Sequence, residues 1–271
     1  MQDGAATARG TQRRSSCITA GIGARPPNLD GVALLDVQGV NVHFGGHHAV
    51  RDVDLDVDTG VITGLIGPNG AGKTTIFNVI TGLLEPSAGR VVLDGVDLTG
   101  KPPHQRARRG MARTFQRLEV VGSLSAYENV LTAAEIHRSH AGGNRDPRRV
   151  AEDVIDRIGI RAVANDRVDA MPTGLARLVE LGRALATEPR VLLLDEPASG
   201  LDDAESEAFA ELRLDLARGG MAVLMVEHDV ALVMRVCHWI HVLDFGAIIA
   251  TGTAAEIQAN QLVLDAYLGA G

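Results

Sequence analysis

The apolar positions of this chain fall into short runs broken by glycine, and the runs are of two kinds. Residues 34–40 (LLDVQGV) and the strict alternation Asp52, Val53, Asp54, Leu55, Asp56, Val57, Asp58 have the period of two of a half-exposed strand. The pattern places all four carboxylates on one face, where they read as a solvated surface, because same-side residues along an extended strand do not converge on one ion. VLLLD (residues 191–195), up to its closing aspartate, and AVLMV (222–226) are instead continuous apolar runs, as parallel strands covered on both faces are. Helical stretches separate them, which predicts a wound α/β sheet. An earlier apolar strand, VITGLIG, runs into GPNGAGKTT and a helical IFNVITG segment that Gly82 closes as a C-terminal cap.

Between Leu118 and Met171 the strand signal vanishes. YENVLTAAEIHR and RRVAEDVIDRIG read there as amphipathic helices joined by the breaker-rich HAGGNRDP, so a small helical subdomain, residues 118–172, is expected as an insertion. Residues 1–32 are rich in Gly, Ala, Ser, Thr, Arg and Pro without periodicity, which predicts a disordered N-terminal tail.

A chain of 271 residues with 45% apolar content buries a substantial core, and no apolar run approaches the roughly 20 residues needed to cross a bilayer. The polar start is unsuited to a signal-peptide core, so export is not expected. A net charge of -8 provides no global positive field for nucleic acid or anionic lipid, and with 5 Phe, 2 Tyr and 1 Trp an aromatic platform for single strands is unsupported. Lys101, Arg106, Arg108, Arg109, Arg113 and Arg117 make a local basic stretch that reads as a solvated or salt-bridging face. His43, His47 and His48 read as exposed turn residues. Cys17 and Cys237 are too few for a disulfide scaffold and too far apart for a redox pair, which suits a reducing compartment.

The chemistry is carried by Gly67, Pro68, Asn69, Gly70, Ala71, Gly72, Lys73 and Thr74, with Thr75 following, a GxxxxGK[ST] run set between strand and helix. Glycines let successive N–H groups wrap a polyphosphate at a helix N-terminus. Lys73 is placed to reach the β and γ phosphates, and the Thr74 hydroxyl to serve Mg²⁺. The strand VLLLD ends in Asp195 and Glu196 at the carboxyl edge of the sheet, where ligands of α/β folds bind. There Asp195 is expected to hold the Mg²⁺ hydration shell and Glu196 to orient or deprotonate the attacking water.

With these motifs placed, residues 34–269 resemble the nucleotide-binding subunit of an ABC transporter. The resemblance implies an α/β P-loop NTPase, an ABC ATPase domain over residues 33–271 with an antiparallel β subdomain, a RecA-like core and the inserted helical subdomain. It implies that Phe44 stacks on adenine, that Gln116 in MARTFQ touches Mg²⁺ and water, and that His228 in VEHD is the switch histidine on the γ-phosphate. Ser199, Gly200, Leu201 and Asp202 correspond to the loop that crosses the dimer interface. Pro172, Thr173, Gly174 and Leu175 stand where the family carries its signature and would cover ATP in trans. Apolar residues at helical spacing from Leu175 put Thr173 and Gly174 at a helix N-terminus. Pro172 offers neither hydroxyl nor N–H, so the phosphate contact comes from Thr173, from the Gly174 amide, or is weaker.

ARRGMARTFQ, Tyr127-Glu128-Asn129-Val130, ALATEPRVLLLDEPASGLD and Ala266-Tyr267-Leu268-Gly269 are similar to the ATPases of branched-chain amino acid importers. That similarity implies ATP and Mg²⁺ as cofactors and a homodimer, or a heterodimer with a second ABC ATPase. It further implies two membrane permeases docked on the helical subdomain, an extracytoplasmic substrate-binding protein, no nucleic acid, and a place on the cytoplasmic face of the cell membrane. The same core also serves export and lipid-transport ATPases and soluble ABC ATPases; the soluble forms usually carry coiled coils or fused halves.

Overall fold

The computed structural model describes residues 33–141 and 145–268. The tail expected over residues 1–32, with Cys17, lies outside them, as does Gly269. In chain order the first strands are β1 (Leu35–Phe44), β2 (His47–Val57) and β3 (Ile62–Ile66), followed by α1 (Lys73–Thr81), β4 (Ala88–Leu93), β5 (Val96–Asp97), α2 (Pro103–Ala107) and β6 (Met111–Arg113). Next come α3 (Ala126–Ala141), α4 (Pro147–Arg157), α5 (Thr173–Leu185), β7 (Val191–Asp195), α6 (Asp203–Arg218) and β8 (Ala222–Val226). The chain continues through α7 (Val230–Val236), β9 (Trp239–Asp244), β10 (Ala247–Gly252), α8 (Ala254–Gln258) and α9 (Gln261–Leu268).

Two sheets result. One is antiparallel, in the order β2-β1-β4-β5. The other runs β10-β9-β3-β8-β7-β6 and is parallel except for its β9–β10 hairpin. Alternate residues of the parallel strands feed two different cores: Leu192 and Leu194 face the helices α3 to α7, whereas Val191 and Leu193 face α1 and the antiparallel sheet. This is why residues 191–194 and AVLMV carry no polar positions, each fully buried Leu or Val stabilising by about 1.5–3 kcal/mol. Helix α1 is held inside the second core by Ile76, Phe77, Val79 and Ile80, and Gly82 caps it with φ 77°.

Three expectations change. The aspartates of the alternating run do not share one solvated face: Asp52 and Asp54 are exposed, but β2 ends at Val57 and Asp58 is buried in the following turn, its carbonyl accepting from Val61 N–H. His43 is the penultimate residue of β1 and His47 and His48 open β2, so these are strand residues, with the His43 and His48 rings stacked at 3.9 Å. The basic stretch is only partly solvated, since Arg106 is 1% exposed. Its guanidinium donates to the carbonyls of Val79, Ile80 and Lys101 at 2.7–2.8 Å. A buried cation thereby serves the end of α1, where, among the described residues, Ile80 O accepts from it alone and Val79 O shares it with the Gly82 N–H.

Between residues 118 and 172 the chain forms α3, α4 and two short 3-10 turns, tied by an isolated bridge of Ser125 to Arg167.

Candidate functional site

The loop between β3 and α1 owes its path to missing side chains. At Gly67 (φ 153°) a Cβ would stand 2.0 Å from the Leu243 carbonyl oxygen, so only glycine lets the loop pass β9. Ala71 N–H donates to Pro68 O at 3.2 Å, and Gly246 N–H reaches Ala71 O at 3.0 Å from the β9–β10 turn. Helix α1 then begins with no side-chain cap, so its first-turn N–H groups point outward unpaired by the helix.

Lys73 is buried and its ammonium folds back on the loop, donating to Gly67 O at 2.6 Å and Pro68 O at 2.9 Å. Burial holds its pKa below the ordinary lysine range, opposed by Glu196 and then Asp195. Thr74 is exposed and Thr75 half-buried on the same first turn. Behind the loop, the C-terminal helix makes contact, the Tyr267 hydroxyl lying beside the Gly67 backbone.

Strand β7 delivers the two acids into different surroundings. Asp195 is buried, and Arg113 donates to its Oδ2 at 2.7 Å. Glu196 turns out of the sheet with φ 49°, a left-handed conformation that disfavours a residue with a Cβ by about 1–2 kcal/mol, while its N–H still bonds Val226 O at 2.9 Å. Its carboxylate is the meeting point of the site. Gln116 Nε2 donates to Oε2 at 2.7 Å, and His228 Nε2 pairs with Oε1. The strand-end acid, the glutamine and the histidine thus come together from positions 80 residues apart in the case of Gln116 and Glu196.

Other expected residues lie around this centre. Phe44 ends β1 with 51% of its surface exposed, an aromatic face open to a ligand. Thr173 and Gly174 begin α5 after Pro172, which supplies no side-chain cap. Gly174 is packed so closely that a Cβ would stand 2.2 Å from Glu205 Oε1. Gly200 (φ 81°) lies beside it, where a Cβ would be 3.5 Å from the Thr173 side chain. Asp202 caps α6 in a reciprocal box with Glu205, and Leu175 and Leu201 line one cleft. Among the described residues no hydrogen bond joins Thr173 or Gly174 to the glycine loop of the same chain.

Several buried charges were not foreseen. Arg177 of α5 donates to the carbonyls of Phe115 at 2.9 Å and Gln116 at 2.6 Å, and pairs with Glu180 at 3.1 Å. Glu180 in turn accepts from Phe115 and Glu119 N–H, while burial pushes its pKa up. Below His228, Glu227 accepts from Ala198 N–H at 3.0 Å and faces the fully buried Arg213 at 3.6 Å. Burial raises the Glu227 pKa and lowers that of Arg213. Only the Arg177 and Glu180 spacing on one helix carried a sequence signal.

A family model described as ABC transporter matches residues 50–199. The chain belongs to the ABC transporter family. A model described as branched-chain amino acid ATP-binding cassette transporter matches residues 247–271 of this cassette. The high-affinity branched-chain amino acid transport ATP-binding protein BraF of Pseudomonas aeruginosa is 37% identical over 87% of this chain and 98% of its own length. The lipopolysaccharide export system ATP-binding protein LptB of Haemophilus influenzae is 34% identical over 88% of this chain and 98% of its own. Among solved structures, a nucleotide-free ATP-binding cassette of an ABC transporter superposes with TM-score 0.78 at 27% identity, covering 87% of this chain and 99% of that one. An ADP-bound cassette gives 0.77 at 27% identity, covering 88% and 100%. The cassette has an ABC ATPase fold, and no helix among its described residues is long and apolar enough to cross a membrane.

Proposed function

We propose that this cassette is the ATP-hydrolysing subunit of an importer for branched-chain or related amino acids, working as a two-site dimer on a pair of membrane permeases at the cytoplasmic face. The convergence of Gln116 and His228 on the Glu196 carboxylate carries the catalytic part of this reading. The match of residues 247–271 to the branched-chain amino acid cassette model supports the cargo class over lipid export. An extracytoplasmic binding protein would deliver the solute, and the region between Gln116 and Ala170 would meet the permeases.

In the proposed cycle Lys73 exchanges the Gly67 and Pro68 carbonyls for β- and γ-phosphate oxygens, as a mobile ammonium at a loop edge can. The N–H groups of residues 67–75 surround the phosphates and Phe44 stacks on the base. Thr74, Asp195 and Gln116 present a hydroxyl, a carboxylate and an amide, all hard oxygen donors of the kind Mg²⁺ takes. Arg113 engages Oδ2 of Asp195, so Oδ1 would be the oxygen to serve the ion. When bound, Mg²⁺ neutralises charge across the β and γ phosphates. Glu196 takes the proton of the attacking water, and His228 holds the γ-phosphate side. Thr173 and Gly174 of a second copy, or of a close relative, close the site, in keeping with the lack, among the described residues, of any hydrogen bond between them and the glycine loop of their own chain. ATP then favours the closed dimer and hydrolysis the open one.

The test is recovery of the intact membrane complex and identification of the solute its binding protein holds, with uptake measured in vesicles on ATP addition. Leucine, isoleucine, valine or a related amino acid is the expected cargo. Recovery with lipid-export permeases, ribosomes or DNA would overturn the assignment.

A further inference from the structure

Arg113 sits at the end of β6, three positions before Gln116, with its side chain 6% exposed. One terminal nitrogen donates to Asp195 Oδ2 at 2.7 Å. The other donates to Asn78 Oδ1 at 2.8 Å and to Thr81 Oγ1 at 3.3 Å, both on α1. The guanidinium lies over the Phe77 ring at 5.4 Å and the Phe115 ring at 4.8 Å. One side chain therefore joins the helix that starts at the glycine loop, the strand that ends in the acids, and the segment that leads to Gln116. Lysine has neither the fork nor the planar faces for these contacts.

A buried ion pair between apolar rings adds little to stability over a well-packed apolar pair, so stability alone does not account for it. Its geometry has a specific consequence at Asp195. With Oδ2 fixed by Arg113 and the guanidinium fixed by Asn78 and Thr81, the direction of Oδ1 is set relative to α1, on whose first turn Thr74 lies.

We propose that Arg113 is a positioning residue that aligns Asp195 with Thr74 for Mg²⁺, so that it tunes metal-dependent nucleotide binding without touching nucleotide. This rests on the reading of Asp195 as the holder of the Mg²⁺ hydration shell. Outer partners of metal-holding groups typically change metal affinity by about 10- to 100-fold when removed.

The experiment measures ATP affinity by calorimetry on the purified chain, in EDTA and across a Mg²⁺ titration, for the parent, Arg113→Met, Arg113→Lys and Asn78→Ala. The half-saturating Mg²⁺ concentration is expected to rise about tenfold or more in Arg113→Met and less in the other two, with ATP affinity in EDTA unchanged. An equal loss of ATP affinity with and without Mg²⁺, or no change in the Mg²⁺ titration, overturns the proposal and leaves Arg113 as a brace for α1. Should Arg113→Met fail to fold, the lysine and Asn78 variants decide by the same criterion. Asp195→Asn separates this proposal from its premise. If Asp195→Asn shifts the Mg²⁺ titration and the Arg113 variants do not, the proposal alone fails; if Asp195→Asn has no effect, the reading of the acid fails first.

Discussion

His228 Nε2 rests against Oε1 of Glu196 while Gln116 Nε2 holds Oε2 at 2.7 Å, so both oxygens of this carboxylate are engaged. Each oxygen keeps a further acceptor site, so a water can be oriented there beside both partners. In the proposed cycle an arriving phosphate would give His228 a second acceptor beside Glu196.

Replacing Glu196 with Gln keeps the shape and removes the proton acceptor. ATP turnover should fall by about 100-fold or more while ATP binding persists and a closed, ATP-loaded dimer accumulates. Steady-state phosphate release and size-exclusion chromatography with ATP check this; a normal rate removes Glu196 from its role. His228→Ala combined with Glu196→Gln should cost little beyond the worse single change, because the two act as a unit.

The glycine loop predicts a graded response. Gly67→Ala drives a methyl into the Leu243 carbonyl, 2.0 Å away, and should abolish nucleotide binding and destabilise the fold by more than about 1 kcal/mol. Gly70 (φ 79°) faces open space, so Gly70→Ala meets only the backbone penalty of about 1–2 kcal/mol. Denaturant titrations and calorimetry of the two variants separate clash from conformation.

Arg106→Ala removes the side-chain donor from the Ile80 and Lys101 carbonyls, while Val79 O keeps the Gly82 N–H at 3.1 Å. A loss of about 2–5 kcal/mol is expected, since each unsatisfied buried group costs roughly 1–3 kcal/mol. Equilibrium unfolding measures it; an unchanged midpoint would show that water replaces the guanidinium.

Burial pushes the Cys237 thiol up to about 12 from an ordinary value of 9.0. Thiolate, the reactive form, is therefore populated at about one part in ten thousand at pH 8, against about one in ten without the shift. Alkylation followed by peptide mass spectrometry should find Cys237 unmodified in the native protein at pH 8 and modified after unfolding. Reaction should accelerate tenfold per pH step while the fold persists. Rapid native labelling at pH 8 contradicts the burial.

What could be read from the chain, and what could not, follows from the range of each interaction. VLLLD, AVLMV, the glycine loop and the Gly82 cap were legible because a strand covered on both faces, a polyphosphate cradle and a helix end each write a local pattern. Pro172, Thr173 and Gly174 were legible as a helix start for the same reason. Arg106 and Arg113 were not, because a solvated arginine and a buried one look alike in a basic stretch. Their partners lie 26 and 27 residues away for Arg106 and 82 residues away for the Asp195 bond of Arg113. Arg213 and Glu227 were hidden likewise, and Asp58 escaped because alternation does not announce where a strand stops.

The apolar strand β7 carries a last implication. Most half-exposed strands are held in alignment by oil on one side and water on the other, but sliding β7 by a single residue would merely trade leucine for valine between two dry compartments. Hydrophobicity cannot tell that strand where to sit. The polar residues at its ends can: Arg190 reaches Asp94 at one end and Asp195 meets Arg113 at the other. The acid proposed to serve Mg²⁺ is thereby also the mark against which its own strand is lined up.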